Sequence, residues 1–457
     1  MLFNSLVFLL VFLPAVVVGD ALVRRVVPRA RLAYLVFVSL FFYGTFDIRF
    51  VPLLCASVLL NWLVAGQYRR TTRAVLVTAA IAINLALLGL FKYLDFLADL
   101  ASTVPGLAVP HVDLAFPLGI SFFTFQHIAY LVDLKRGKTE HTDLLRYGLY
   151  VAFFPKVIAG PLVRPREFLP QIDDPGLRRP ESAETLARGL LLLTAGLAKK
   201  VFIGDPLGEY VDPVYALVAA GGAPSVGQAW DATLGYTFQL YFDFSGYSDM
   251  AIGIALLFGI ALPQNFDAPY RSVSIQDFWR RWHITLSTFL RDYLYIAFGG
   301  NRHGMPRQLL ALFATMALGG LWHGAGLTFV AWGAAHGIAL GFDLVWRKRG
   351  LTMPDGLGFA LTFAFVALAW VLFRAPDFGT ALAIYRALLG GGPLGHSEAW
   401  PMLALAVTFA MLGPTAWTLV RRLPPARWVG VAAAVLALAV LLKVGNDTSA
   451  EFIYAQF

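Results

Sequence analysis

Residues 74–91 read AVLVTAAIAINLALLGLF, a run without a single charge whose only markedly polar side chains are Thr78 and Asn84. A run of that kind is a candidate membrane-spanning helix, because about 20 apolar residues in helix cross a bilayer core and lipid offers backbone groups no other partner. Working outward, comparable stretches recur at Leu2–Val18, Leu32–Phe46, Val51–Ala65, Phe116–Val132, Tyr147–Ile158 and Leu186–Ala198. They continue at Leu234–Leu262, Leu309–Leu321, Leu327–Val345, Leu357–Phe373, Met402–Val420 and Trp428–Leu442. Several are too short for a simple span, which predicts broken, tilted or re-entrant helices. With 58% hydrophobic and only 14% charged residues among 457, the chain is far more apolar than a soluble domain with about 25% charge.

The expected fold is therefore an all-α polytopic membrane protein, with roughly 11–13 transmembrane or re-entrant helices around a central polar tunnel. Residues 1–457 read as one integral-membrane domain: N-terminal helices over 1–110, a core over 111–350 and C-terminal helices over 351–457. The first charge is Asp20, so the first apolar run lacks the basic flank of a signal peptide and is expected to be retained. Basic clusters at Arg24–Arg31, Arg69–Arg73, Lys135–Lys138, Arg347–Arg349 and Arg421–Arg427 alternate with the clearer spans. By the positive-inside rule they are cytoplasmic, which leaves Lys92–Pro110, Ala375–Trp400 and both termini outside. The net charge of +8 is then topology signal and attraction to anionic lipid, and no nucleic-acid motif competes with that reading.

The core differs from its flanks. Phe154–Pro161 and Tyr241–Asp249 put Pro, Gly and charge into spanning sequence, which predicts irregular backbone lining a polar cavity. Ser274-Ile275-Gln276-Asp277 has capping-box spacing and is expected to open a helix from Phe278 through Trp279-Arg280-Arg281-Trp282-His283 to Tyr293. That helix is too charged to span and suits the membrane interface or a cavity mouth, with His283 either functional or incidental on a surface helix. Forty positions on, Gly319-Gly320-Leu321-Trp322-His323-Gly324 surrounds a second histidine with glycines. A polar group at that depth is expensive, so His323 reads either as a functional residue or as a buried hydrogen-bonding link between helices. His336 reads as packing, His127 as a weaker cavity candidate, and His111, His141, His303 and His396 as loop residues. The lone cysteine, Cys55, has no electropositive neighbour in sequence to activate it, and no metal site of the CxxC kind is present.

At these residues the sequence resembles the membrane-bound O-acyltransferase superfamily, and in particular its bacterial alginate O-acetyltransferase-like branch. The matching stretches are Phe116–Phe122, Tyr241–Gly253, Asp277–His283 with Arg291-Asp292-Tyr293, Gly299-Gly300-Asn301-Arg302 and Gly320–Ala325, in that order along nearly the whole chain. Leu327 and Phe289 depart from it, standing where tryptophan is usual. The resemblance implies catalytic roles for His323 and His283, and Trp279, Arg280, Arg281, Trp282, Asp243, Asp249, Asn301 and Trp322 are the surrounding candidates for substrate binding. It also implies an acyl thioester donor, acetyl-CoA or an acyl-carrier thioester, with no resident cofactor and no metal. The expected acceptor is an extracytoplasmic polysaccharide or a periplasmic acetyltransferase partner, and the expected location is a bacterial cytoplasmic (inner) membrane. An imidazole suits deprotonation of an acceptor hydroxyl, so His323 is expected to be the general base, with His283 orienting the thioester or donating to the oxyanion. Arg280 and Arg281 would attract the phosphates of a coenzyme A-type donor. Two other readings stand beside this one: a transporter or channel built from broken helices, against which no inverted repeat is evident, and a subunit that hands acyl groups on without touching sugar.

Overall fold

The structure, a computed structural model, describes residues 1–104, 107, 109–173, 182–424, 426–446 and 452–453. Pro105, Gly106 and Ala108 in the stretch expected outside, and Pro425 in the last basic cluster, lie outside the described residues. Among the described residues every regular element is helical, as expected. The α-helices are α1 Leu13–Val26, α2 Arg31–Gly44, α3 Val51–Thr71, α4 Ala74–Ser102, α5 Ile120–Lys135, α6 Leu144–Ala152 and α7 Pro165–Asp173. They continue with α8 Ala183–Lys199, α9 Asp205–Ala219, α10 Val226–Leu257, α11 Ile275–Arg281, α12 Ile284–Phe289 and α13 Gly304–His323. The last are α14 Leu327–Lys348, α15 Asp355–Arg374, α16 Phe378–Arg386, α17 Trp400–Val407, α18 Ala416–Arg422 and α19 Arg427–Asn446.

Among the described residues, five helical segments are by themselves long and apolar enough to cross a membrane: Ile48–Thr71, α4, α14, α15 and α19. The pair Trp400–Leu412 and Ala416–Arg422, bent by 57°, raises that to six if it forms one broken span. The remaining apolar runs fall in helices that are shorter, interrupted or more polar. Only 22% of the apolar stretch of α4 and 17% of that of α19 is buried, which leaves each with a broad apolar outer face suited to lipid.

The chain forms two compact units, residues 1–194 with 248–263 and 424–451, and residues 195–247 with 264–423 and 452–457. In the first, helices are joined by polar pairs that satisfy one another. Asn61 on α3 and Asn84 on α4, both buried, exchange reciprocal amide hydrogen bonds of 3.2 and 2.8 Å. Asp20 on α1 meets Arg31 of α2 at 2.8 Å and Arg24 at 2.7 Å, and Arg31 also donates to the Phe258 carbonyl. The segment after α6 is irregular, as its Pro and Gly residues predict: residues 153–160 form turns without helix. There the buried Lys156 Nζ donates to Gln126 Oε1 and the Tyr150 carbonyl, with the Tyr150 ring at 4.9 Å and the Phe168 ring at 5.2 Å.

Tyr241–Asp249, expected to be irregular, is instead uninterrupted helix within the 32-residue α10. Asp243 explains why the backbone need not open. Its carboxylate meets Lys200 Nζ at 2.8 Å, and Lys200 also meets Asp205 at 2.7 Å. The lysine is supplied by a π-helical turn over Lys200–Gly204, and a charge paired by a side chain requires no exposed backbone.

In the second unit, α13 and α14 lie against each other closely enough that a Cβ on Gly320 would fall 2.1 Å from the Phe329 carbonyl oxygen, and one on Gly333 2.2 Å from that of Met316. Glycine at these two positions is what lets the helix backbones touch. The approach holds His323, the last residue of α13, against the first turns of α14.

Candidate active site

His323 is 3% exposed. Its ring meets Trp322 at 5.0 Å, Trp332 of α14 at 5.3 Å and Phe373 of α15 at 5.2 Å between centroids, each nearly edge to face. Three aromatic groups thus fix an imidazole at a helix end, where the next residue, Gly324, is already extended.

His283 does not lie on a continuous helix from Phe278 to Tyr293, as expected. Ser274 caps α11 as its spacing predicts, its Oγ accepting from the Asp277 amide at 3.1 Å, but that helix ends at Arg281. Trp282 is extended and His283 adopts a left-handed backbone with φ 40° before α12 begins. Such a conformation is rare outside glycine and concentrates at functional sites. The turn buries His283 completely, so the surface-helix reading does not hold.

A partner eighteen residues upstream fixes the chemistry of this ring. Asn265 Oδ1 accepts from the Thr285 backbone amide at 3.2 Å, from Thr285 Oγ1 at 2.9 Å and from His283 Nδ1 at 3.0 Å. A backbone amide only donates, so the atom facing it is the carboxamide oxygen, and the oxygen in turn requires a proton on His283 Nδ1. The neutral ring therefore carries its lone pair on Nε2 and accepts there; donation to an oxyanion from Nε2 would need a second proton. Phe244 at 4.7 Å and Phe266 at 6.3 Å pack the ring.

The two histidines belong to one aromatic network in the second unit. Trp282, next to His283, packs on Trp370 at 4.9 Å; Trp370 stacks on Trp332 at 5.4 Å; Trp332 meets His323. Trp279 enters the same cluster and donates its indole N–H to His336 Nδ1 at 3.2 Å. His336 is thus more than packing, and its neutral ring has the opposite tautomer to His283, with the proton on Nε2.

Of the remaining candidates, Trp322, Trp279 and Trp282 are buried in or beside this network. Arg281 is half-buried and pairs with Asp277 at 2.9 Å, while Arg280 is exposed. Asn301 is exposed after Gly299-Gly300. Asp243 is committed to Lys200 and accepts from the Ile453 amide at 2.9 Å. Asp249, also buried, belongs to the first unit. Sequence reasoning missed Asn265, Trp370 and the hydrogen bond of His336; Asn265 had as its only signal a polar residue between Pro263 and Phe266. It also missed Asp95, His111 and Asp113, exposed or half-buried groups of the first unit whose ligand atoms lie within 4.8 Å of one another. That spacing suits a cation, and exposed acidic groups often share it without one.

A helical membrane protein with two buried histidines in one aromatic network is the class these observations define. The chain matches the family described as membrane-bound O-acyltransferase over residues 114–373. It is 40% identical over 429 residues to the peptidoglycan O-acetyltransferase of Helicobacter pylori, covering 85% of this chain and 80% of that protein. It is 39% identical over 415 residues to a probable alginate O-acetylase of Pseudomonas aeruginosa, covering 87% and 76%. A teichoic acid D-alanyltransferase of Bacillus subtilis is 29% identical over 285 residues, covering 59% and 71%. The chain belongs to the membrane-bound O-acyltransferase family and is a multi-pass membrane enzyme of that kind.

Proposed function

We propose that this enzyme O-acetylates an extracytoplasmic glycan of the peptidoglycan or alginate type, taking the acetyl group from a cytoplasmic thioester such as acetyl-CoA. The reading is supported by the names of the relatives and carried by one observation: the His283 tautomer set by Asn265, joined through Trp282, Trp370 and Trp332 to His323. In the proposed reaction His323 takes the proton of the acceptor hydroxyl as its oxygen bonds to the thioester carbonyl carbon. The carbon–sulfur bond then breaks and the thiolate leaves, recovering the proton from the imidazolium. His283 orients a substrate through its accepting Nε2, meeting a hydroxyl or an amide N–H of the donor arm. Arg280 and Arg281 receive the phosphates of the donor on the cytoplasmic side, and a polar tunnel past His323 brings donor and acceptor together from opposite faces. The enzyme sits in a bacterial inner membrane with both termini outside, an orientation supported by the alternation of basic clusters.

The test is transfer of radiolabelled acetyl from acetyl-CoA by the full chain in lipid nanodiscs, offered peptidoglycan fragments and alginate oligomers separately. Label in glycan with the enzyme alone supports direct transfer. Label that appears only when a periplasmic acetyltransferase is added supports a hand-off, and label with neither overturns acetyl-CoA as donor.

A further inference from the structure

A groove of about 740 Å³ lies between α14 and α15, closed at one side by the residues that lead into α11. Its α14 wall is one helical stripe running from Ala335 through Ala339, Phe342 and Trp346 to Arg347, and Leu361 and Phe365 line the α15 side. Alanine at 335 and 339 makes the stripe concave. Both helices are long and apolar enough to cross a membrane, with 28% and 44% of their apolar windows buried, and Ile338, Phe342 and Leu361 are exposed along the groove. Lipid is the solvent such a groove meets.

Its length fits one leaflet. From Ala335 to Arg347, at about 1.5 Å per residue, the stripe runs roughly 18 Å, and half of a bilayer core of about 30 Å is roughly 15 Å. The apolar depth lies toward mid-helix, and the polar groups gather where α14 ends and α15 begins, the level at which tryptophan favours the membrane interface.

That rim has a specific chemistry. Trp346 lines the groove at this level, its ring packed on that of Phe342 at 5.6 Å between centroids. Arg347, 45% exposed, holds Asp343 at 3.1 Å. Asp355, the exposed first residue of α15, adds a second carboxylate, while Lys348 donates to Gln308 at 3.2 Å and is turned to another task. Guanidinium beside carboxylate matches a headgroup that itself carries both signs. A purely anionic headgroup would meet Asp343 and Asp355, and a quaternary ammonium could not donate a hydrogen bond to them.

We propose that this groove is a phospholipid site, seating one acyl chain between α14 and α15 and a phosphoethanolamine headgroup with its phosphate at Arg347 and its ammonium at Asp355. The full chain, reconstituted in nanodiscs with equal parts phosphatidylethanolamine, phosphatidylcholine and phosphatidylglycerol of identical acyl chains, is extracted in mild detergent and weighed intact by native mass spectrometry. The expected result is a one-to-one phosphatidylethanolamine adduct favoured over the other two by about tenfold, the ratio that ~1.4 kcal/mol confers. Ala339→Phe, which fills the floor of the groove, lowers the adduct by at least about tenfold; Leu361→Trp from the facing helix does the same should the first variant not assemble. Asp355→Asn keeps a lipid but loses the preference for the primary amine. Absence of a retained lipid in the wild type, equal retention of the three, or an adduct unchanged by the groove-filling variants overturns the proposal.

Discussion

His127 in the first unit and His283 in the second are both completely buried, and the contrast between them separates a structural histidine from a chemical one. His127 holds Tyr147 Oη at 2.6 Å through Nδ1 and Ser57 Oγ at 3.2 Å through Nε2. Ser57 Oγ spends its proton on the Leu54 carbonyl at 2.8 Å, so it accepts from His127 Nε2 while the Tyr147 hydroxyl donates to Nδ1, and both ring nitrogens are engaged in linking helices. His283 likewise has one tautomer, set by an amide oxygen whose orientation a backbone N–H has already fixed, but there the anchor holds Nδ1 and the proposed role falls on Nε2. His127 spends both nitrogens on hydroxyls of neighbouring helices, as Asn61 and Asn84 also join helices; His283 is anchored through Nδ1 by Asn265, a side chain outside any helix.

The largest effect should come from the partner of His283 in the aromatic network. His323→Ala is expected to lower acetyl transfer by at least about 10²–10⁴, the range attached to a general base, and His323→Gln by a similar amount because an amide cannot take the proton. His127→Ala should instead lower thermal stability and leave transfer per folded enzyme near wild type. Measured rates normalised to folded protein decide between them; a His127 variant that folds well and fails in transfer would erase the contrast between the units.

A smaller effect is expected at His283 and its anchor. His283→Ala should slow transfer by about 10²-fold, and Asn265→Ala should reproduce part of that loss by releasing the ring to the other tautomer. The pair sharpens the comparison because a double variant no worse than His283→Ala would show the two acting as one unit, whereas additive losses would give Asn265 a role of its own.

Asp243 tests whether a charge in the second unit is structural in the same manner as those of the first. Removing one partner of a buried ion pair typically costs 3–5 kcal/mol, roughly, because the other charge is stranded. Lys200 keeps Asp205 at 2.7 Å when Asp243 is removed, so Asp243→Asn should lower the melting temperature by less than a fully stranded charge would, and adding Asp205→Asn, which strands the lysine, should lower it steeply. A stable Asp243→Asn enzyme with a raised KM would return this carboxylate to substrate binding.

Much of the fold was legible because its signals are local. The charge-free run 74–91 became α4, Ser274 caps α11 at the predicted spacing, and Gly320 marks the close approach that delivers His323. What the sequence hid depends on distant partners. Nothing in FWRRWHITLSTF distinguishes a continuing helix from the left-handed turn at His283, since that turn is held by Asn265, whose carbonyl accepts from Ile284 while its side chain accepts from Thr285. The continuity of α10 was hidden likewise: its aspartate looked like an opening in the helix until Lys200 arrived from another element.

The smallest effect, none at all, is expected at Cys55. It sits on the exposed side of α3 in the first unit, within a segment long and apolar enough to span a membrane, and lipid contact leaves a thiol without the electropositive neighbours that stabilise a thiolate. If acyl transfer passes directly from thioester to hydroxyl, no protein nucleophile is needed, and the histidines of the second unit carry the reaction alone. Cys55→Ser should then transfer acetyl at the wild-type rate, and wild-type enzyme incubated with radiolabelled acetyl-CoA in the absence of acceptor should be unlabelled after denaturation. Stoichiometric label on Cys55 would move the chemistry into the unit assigned to structure. Label on His323 would keep it in the second unit but replace the general base with an acyl-imidazole relay, in which the ring nitrogen attacks the thioester, the thiolate leaves, and the acceptor hydroxyl then displaces the imidazole.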